Sequence, residues 1–144
     1  MKPTVYLRIA SVLTLIHALL HTIGGVFGET PPNVQPVVDA MQGNQFLVMG
    51  VMRTMWDFHK GFGLVASVSL TVEGLVFWQL GTLAKSDAMR LRGIIATFLI
   101  GYLCISVISY RYFFAGPVIT EILIALCLGL AIWSSRRSAI VAAG

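Results

Sequence analysis

Four apolar stretches, each about as long as a bilayer is thick, leave this 144-residue chain few ways to fold. A hydrocarbon core of about 30 Å takes about 20 helical residues to cross. Residues 7–27, 58–80, 94–112 and 118–133 meet that requirement. Only 11% of the residues are charged and 57% are hydrophobic. Soluble domains carry about 25% charged residues, so a water-facing surface cannot be built from so few charges and the solvent is lipid. The pattern predicts an all-α membrane protein, an antiparallel four-transmembrane-helix bundle forming a single domain over residues 1–144. An up-and-down order follows from the two short connections after the second and third spans.

The one long connection, residues 28–57, opens with Gly28-Glu29-Thr30-Pro31-Pro32, a helix stop. Residues 37–41 and 45–55 then read as short helices at the interface, a helical segment between the first two spans. Residues 85–92 form a polar link, and Ala115-Gly116-Pro117 a tight turn into the last span, with Pro117 suited to its first turn. Lys2 and Arg8 before the first apolar run resemble the start of a signal peptide. That run is too long for one and carries His17 and His21, so it reads as an uncleaved span.

Charge placement gives an orientation. Lys2, Arg8, Lys85, Arg90, Arg92, Arg136 and Arg137 fall on one side of four spans, and Arg53, Lys60 and Arg111 on the other. Seven against three places both termini in the cytoplasm and the long connection outside, in a bacterial inner membrane. The net charge of +4 comes with no aromatic-interleaved basic patch, so the bilayer is the expected partner and nucleic acid is not. Cys104 and Cys127 lie in apolar runs and read as buried thiols.

In that orientation the polar groups gather in the middle and outer parts of the bundle. His17 and His21 lie on the first span, and Arg53, Asp57, His59 and Lys60 at the entry of the second. Tyr110, Arg111 and Tyr112 end the third span, and Glu121 starts the fourth. Glu73 sits deeper, about 21 Å along the helix from His59, where His17 of a neighbouring helix can face it. An ionisable group inside a bilayer costs about 2.5–3.5 kcal/mol, so Glu73 and Glu121 read as functional.

His17 and His21, one turn apart on one face, admit two readings. They are hydrogen-bonded core histidines, or they bind metal or haem with His59 as a third ligand and Glu29, Asp57 or Glu121 as a fourth. Met49, Met52 and Met55 read as the apolar face of an interfacial helix or as a soft Cu(I) set. Trp56, Trp78 and Trp133, with Tyr110 and Tyr112, fit an aromatic belt. Gly61-Phe62-Gly63 fits close helix packing better than phosphate binding.

The runs Leu7-Arg8-Ile9-Ala10 and His17-Ala18-Leu19-Leu20-His21-Thr22-Ile23-Gly24-Gly25, with Met49-Gly50, Arg53, Trp56-Asp57-Phe58 and Gly61-Phe62-Gly63, resemble an uncharacterised family of small bacterial four-span membrane proteins. The likeness covers nearly the whole chain and implies the four-span fold but no activity. In architecture alone the chain is similar to DoxX-like proteins, linked to quinone-connected redox chemistry. It is similar in the same loose sense to EXPERA-type proteins, some of which isomerise sterols with intramembrane acids. Neither resemblance carries site residues across.

The leading expectation is a membrane-embedded enzyme performing acid–base chemistry on a small lipophilic substrate. Its catalytic groups are His17, His21 and Glu73, assisted by His59, Asp57 or Glu121. Histidine suits this work because its unperturbed pKa is near 6.5. Arg53, Trp56, Tyr110 and Arg111 are the expected substrate-binding residues. This reading requires no cofactor. The alternatives are a redox protein holding haem, copper, iron or zinc on His17, His21 and His59, a homodimeric proton-coupled transporter using Glu73 or Glu121, and a non-catalytic membrane subunit.

Overall fold

A computed structural model describes the backbone of residues 2–143 and the side chains of residues 2–135. Arg136 and Arg137, counted in the charge balance, lie outside the described side chains. The order of elements is α1 (Pro3–Leu20), a π-helical turn (His21–Val26), α2 (Gln35–Gly43), β1 (Gln45–Val48), β2 (Val51–Thr54), α3 (Met55–Asp87), α4 (Arg92–Tyr112) and α5 (Ala115–Ala143). Four segments are long and apolar enough to cross a bilayer: Pro3–Val26, Met55–Asp87, Arg92–Tyr112 and Ala115–Ser135. The chain is a multi-pass, all-α membrane protein, and each of the four segments is longer than the span expected for it, although the first ends at Val26, one residue short of the expected Phe27.

Two compact units make up the chain, residues 1–17 with 70–144 and residues 18–69, with their boundaries inside α1 and α3. The first unit is a four-helix bundle. Its core takes Leu7 and Ala10 from α1, Phe77, Leu80 and Ala84 from α3, Ile95 and Tyr102 from α4, and Ile124, Ala125, Leu128 and Ala131 from α5. These positions recur every three or four residues, so each helix buries one stripe and turns residues such as Val12, Ile100, Val107 and Leu126 to lipid.

Lipid offers no hydrophobic drive between helices, so contact rests on close packing and interhelical hydrogen bonds. In this unit α1 and α3 have both. Ser11, fully buried, donates its hydroxyl to the carbonyl of Gly74 at 2.7 Å. A β-carbon on Gly74 would fall 2.7 Å from Cγ and Cδ2 of Leu15, closer than real contacts allow. Further along, Arg8 donates to Thr82 at 2.8 Å and lays its guanidinium 3.4 Å from the Trp78 ring centroid. Phe77 meets Phe98 edge-on, with centroids 4.9 Å apart.

The second unit joins the end of the first span to the start of α3. Thr22 Oγ1 lies 2.7 Å from the Ala18 carbonyl and 2.8 Å from Ser67 Oγ, and Ser67 donates to the Gly63 carbonyl at 3.1 Å. Lys60 donates to the carbonyl of Val26, the last residue of the π-turn. There a cation meets the negative end of the helix dipole. Gly63 faces Val26 so closely that a β-carbon would sit 3.0 Å from Val26 Cγ2, as the small-residue reading anticipated, whereas Gly61 of the same motif has no atom within 4 Å of such a β-carbon.

One expectation fails here. Residues 45–55 are not an interfacial helix. Residues 45–54 form an antiparallel hairpin, β1 on β2, with Val48 opposite Val51 and Gln45 opposite Thr54, and α3 begins at Met55. The reason lies in Met49-Gly50. Both residues take positive φ, +49° and +87°, which is the two-residue type I′ turn that matches strand twist. Met49 therefore sits at the tip, Met52 in a strand and Met55 at the head of α3, and the three share no helix face. The shorter expected helix at 37–41 is present as α2. Likewise α5 starts at Ala115, so the turn before it falls on Phe113 and Phe114 rather than on Ala115-Gly116-Pro117.

Two stability changes follow. Gly74→Ala should cost about 1–3 kcal/mol by overpacking, with most of the loss recovered when Leu15→Ala is added. Chemical unfolding in mild detergent measures both, and a fully stable Gly74→Ala would mean that the helices do not approach this closely. Met49→Asn should raise the unfolding midpoint, because Asn-Gly suits a type I′ turn better than a methionine held at positive φ.

Candidate functional site

The bundle's polar interior is built on one face of α4. Tyr102, Ser106 and Ser109 stand at i, i+4 and i+7, and all three are buried. Two of them meet carboxylates from neighbouring helices. The Tyr102 phenol donates to Glu73 Oε2 of α3 at 2.7 Å, and Ser109 donates to Glu121 Oε1 of α5 at 2.8 Å. Thr14 of α1, fully buried, donates to the Ala10 carbonyl at 2.8 Å. Ser106, between the pairs, donates to the Tyr102 backbone carbonyl at 2.8 Å. The pairs stand about 10 Å apart along α4.

Each carboxylate owes its place to local packing. Glu73 precedes Gly74, whose close approach to α1 sets the depth and facing of this part of α3. Glu121 lies two turns into α5, opposite Ser109 near the end of α4, because only Phe113 and Phe114 separate the helices. Glu121 is 4% exposed, and its Oε2 is enclosed without a hydrogen-bond partner. A buried acceptor left unpaired costs about 1–3 kcal/mol, so it persists where its chemistry is useful or where something else occupies it. His17 is half-buried on α1, one turn beyond Thr14.

The other expected site residues do structural work or face outward. In the second unit His21 donates from Nε2 to the Gly63 carbonyl at 3.1 Å, which places a proton on that nitrogen. His59 stacks on Trp56, with ring centroids 5.1 Å apart. Asp57 and Thr54 form a reciprocal cap at the head of α3: Thr54 N donates to Asp57 Oδ2 at 2.8 Å, and Asp57 N donates to Thr54 Oγ1 at 3.1 Å. Arg53 is exposed and donates to the carbonyl of Met52 at 3.0 Å. In the bundle unit Tyr110 and Arg111 are exposed at the end of α4. Among the described residues no three His, Cys, Asp or Glu side chains gather as a metal-binding group.

Glu73 and Glu121 are thus the expected residues that meet buried hydroxyl donors. Tyr102, Ser109 and Ser11 were not singled out from the sequence. The signal for two of them was present, since hydroxyls at 102, 106 and 109 mark one face of an otherwise apolar span. Chemically, a phenol–carboxyl pair in an apolar bundle can donate and accept a proton without bulk water.

Comparison of the chain with protein-family models, curated proteins and solved structures finds no match.

Ser109→Ala should cost about 1–3 kcal/mol in detergent unfolding, because it strips Glu121 of its one donor. Adding Glu121→Leu should recover much of that loss. A single variant as stable as the parent would show that the pair contributes nothing to the fold.

Proposed function

We propose that this chain is a membrane-embedded enzyme that moves protons on a small lipophilic substrate, using Glu73 as base and Tyr102 as hydrogen-bond donor. The observation that carries the reading is the 2.7 Å Tyr102–Glu73 bond inside the bundle. A phenol beside a carboxylate supplies the two groups that proton abstraction next to a carbonyl requires. With substrate bound, the single Tyr102 O–H turns from Glu73 to the substrate oxygen on which negative charge develops, and Glu73, released from that bond, takes the proton from carbon. Returning the proton to a second carbon completes an isomerisation that needs no oxidant or reductant. The Ser109–Glu121 pair, on the same face of α4, provides a second acid–base station, and His17 lies on the helix that carries Thr14.

We place the protein in a bacterial cytoplasmic membrane with both termini inside, on the seven-to-three distribution of basic residues. A substrate soluble in the bilayer would then reach the bundle laterally between spans.

The test is hydrogen exchange into carbon. Vesicles containing the protein and a total bacterial lipid extract are incubated in D2O, and the lipids are analysed by mass spectrometry. The parent should introduce stable deuterium into one lipid class. Glu73→Gln should abolish the exchange, and Tyr102→Phe should slow it by about 10²–10³-fold. Exchange that survives Glu73→Gln would remove Glu73 from the chemistry, and no exchange with the parent would count against the activity itself.

A further inference from the structure

The β1–β2 hairpin has its polarity reversed for a loop in water. Its base carries Asn44, Gln45, Arg53 and Thr54, whereas residues 46–52 hold no polar side chain. Paired residues share a face, so Phe46, Val48 and Val51 make one side of the ribbon apolar, and Leu47 with Met52 the other. Antiparallel sheets that meet water turn a polar face to it, and this ribbon has none beyond its base. The turn points the same way. A type I′ turn favours Asn, Asp or Gly at its first position, yet Met49 holds φ +49° there with its side chain 100% exposed. A residue kept in a costly conformation, adding nothing to packing, points to a use outside the fold.

The hairpin is also held at the membrane. β2 runs into α3 with no residue between, and the reciprocal Thr54–Asp57 cap fixes that junction. Strands of four residues reach about 13 Å, so the tip stays within that distance of the head of a membrane span. Trp56, at that head, is a residue type that settles at headgroup level. Phe46 stacks on Phe58 with ring centroids 6.1 Å apart, and Phe58 leans on Phe62 at 6.2 Å. Phe62 is 71% exposed on α3, so the hairpin continues a surface that the span already turns to lipid.

We infer that the β1–β2 hairpin is a membrane anchor, lying in the headgroup–acyl boundary where α3 enters, with Leu47, Met49 and Met52 against lipid. It pins the long connection between the first two spans to the bilayer. The partner is a lipid surface and not a strand of another protein. A partner strand would pair one edge of the ribbon and leave both apolar faces uncovered, whereas lipid covers both. The same edges set the depth. Their unpaired backbone N–H and C=O groups are not tolerated in hydrocarbon, so the ribbon stops at the boundary, where water still reaches them. This inference does not depend on the Glu73–Tyr102 reading.

The test reads depth. A nitrobenzoxadiazole probe is attached through Leu47→Cys in a Cys104→Ala, Cys127→Ala background and the protein is placed in phosphatidylcholine nanodiscs, which leave both membrane faces open to solutes. Phospholipid spin-labelled near the headgroup should quench the probe more than phospholipid labelled at the chain end, and aqueous iodide should quench it weakly. Met49→Asp keeps a residue suited to the turn and puts a charge at the tip. It should hold the unfolding midpoint, lose the lipid quenching and gain iodide quenching. Met49→Asn, neutral and suited to the same turn, should move the same way by less. Strong iodide quenching of the parent would place the hairpin in water and overturn the anchor. Stronger quenching from the chain end would overturn the boundary depth. A probe shielded from both quenchers would make another protein surface the occupant, and folded Met49 variants quenched by lipid like the parent would remove the tip from the contact.

Discussion

The hydroxyl of Ser11 reaching the carbonyl of Gly74 governs how the bundle unit is put together. Apolar surface gains nothing by leaving lipid for another apolar surface, so helices there need a reason to touch at one depth and rotation. Ser11 and Gly74 provide it. The glycine removes the side chain that would hold α1 away, and the serine supplies a directed bond across the gap. The depth and facing of Glu73 follow from its neighbour. From there the Tyr102 phenol is within hydrogen-bond reach, and α4 presents Ser106 and Ser109 on the same stripe.

The same economy applies in the second unit, where polar groups hold an irregular turn. Thr22, Ser67, His21 and Lys60 all point at backbone or at each other. Histidine, lysine and aspartate near a membrane surface invite a catalytic interpretation, yet here their geometry is that of caps and staples. Glu121 is 4% exposed and Glu73 half-buried, and each has a hydroxyl partner drawn from an apolar span.

Much of the fold was legible in the sequence because the bilayer imposes a length. Runs of about 20 apolar residues have one stable solution, and all four appear as helices. The hairpin was not legible in the same way. Residues 45–55 are short, and apolar residues at three-residue spacing, such as Met49, Met52 and Met55, mimic a helix stripe. The deciding signal was Gly50, whose positive φ closes a turn that a helix could not contain. Glu73 and Glu121 could be recognised because an acid in lipid is costly. Their partners could not, since Tyr102 and Ser109 are unremarkable in composition and matter only through helix rotation. His21 takes the hydrogen-bonded one of its two readings, on the Gly63 carbonyl, and spacing alone could not choose it: spacing says which residues share a face, but not whether a carbonyl already waits there.

The π-turn at His21–Val26 bears on how this sequence should be compared with others. Its hydrogen bonds close over five residues, as in the bond from Phe27 N to the carbonyl of Thr22 at 3.0 Å. Neighbours on its surface are therefore spaced more widely than the 3.6-residue period that holds up to Leu20. A pattern that assumes one uninterrupted helix will slip out of phase there, assigning Gly24, Gly25 and Val26 to the wrong sides. Alignments through this motif should be free to gain or lose a residue within it, because the extra turn width is a place where the chain can absorb an insertion without looping out.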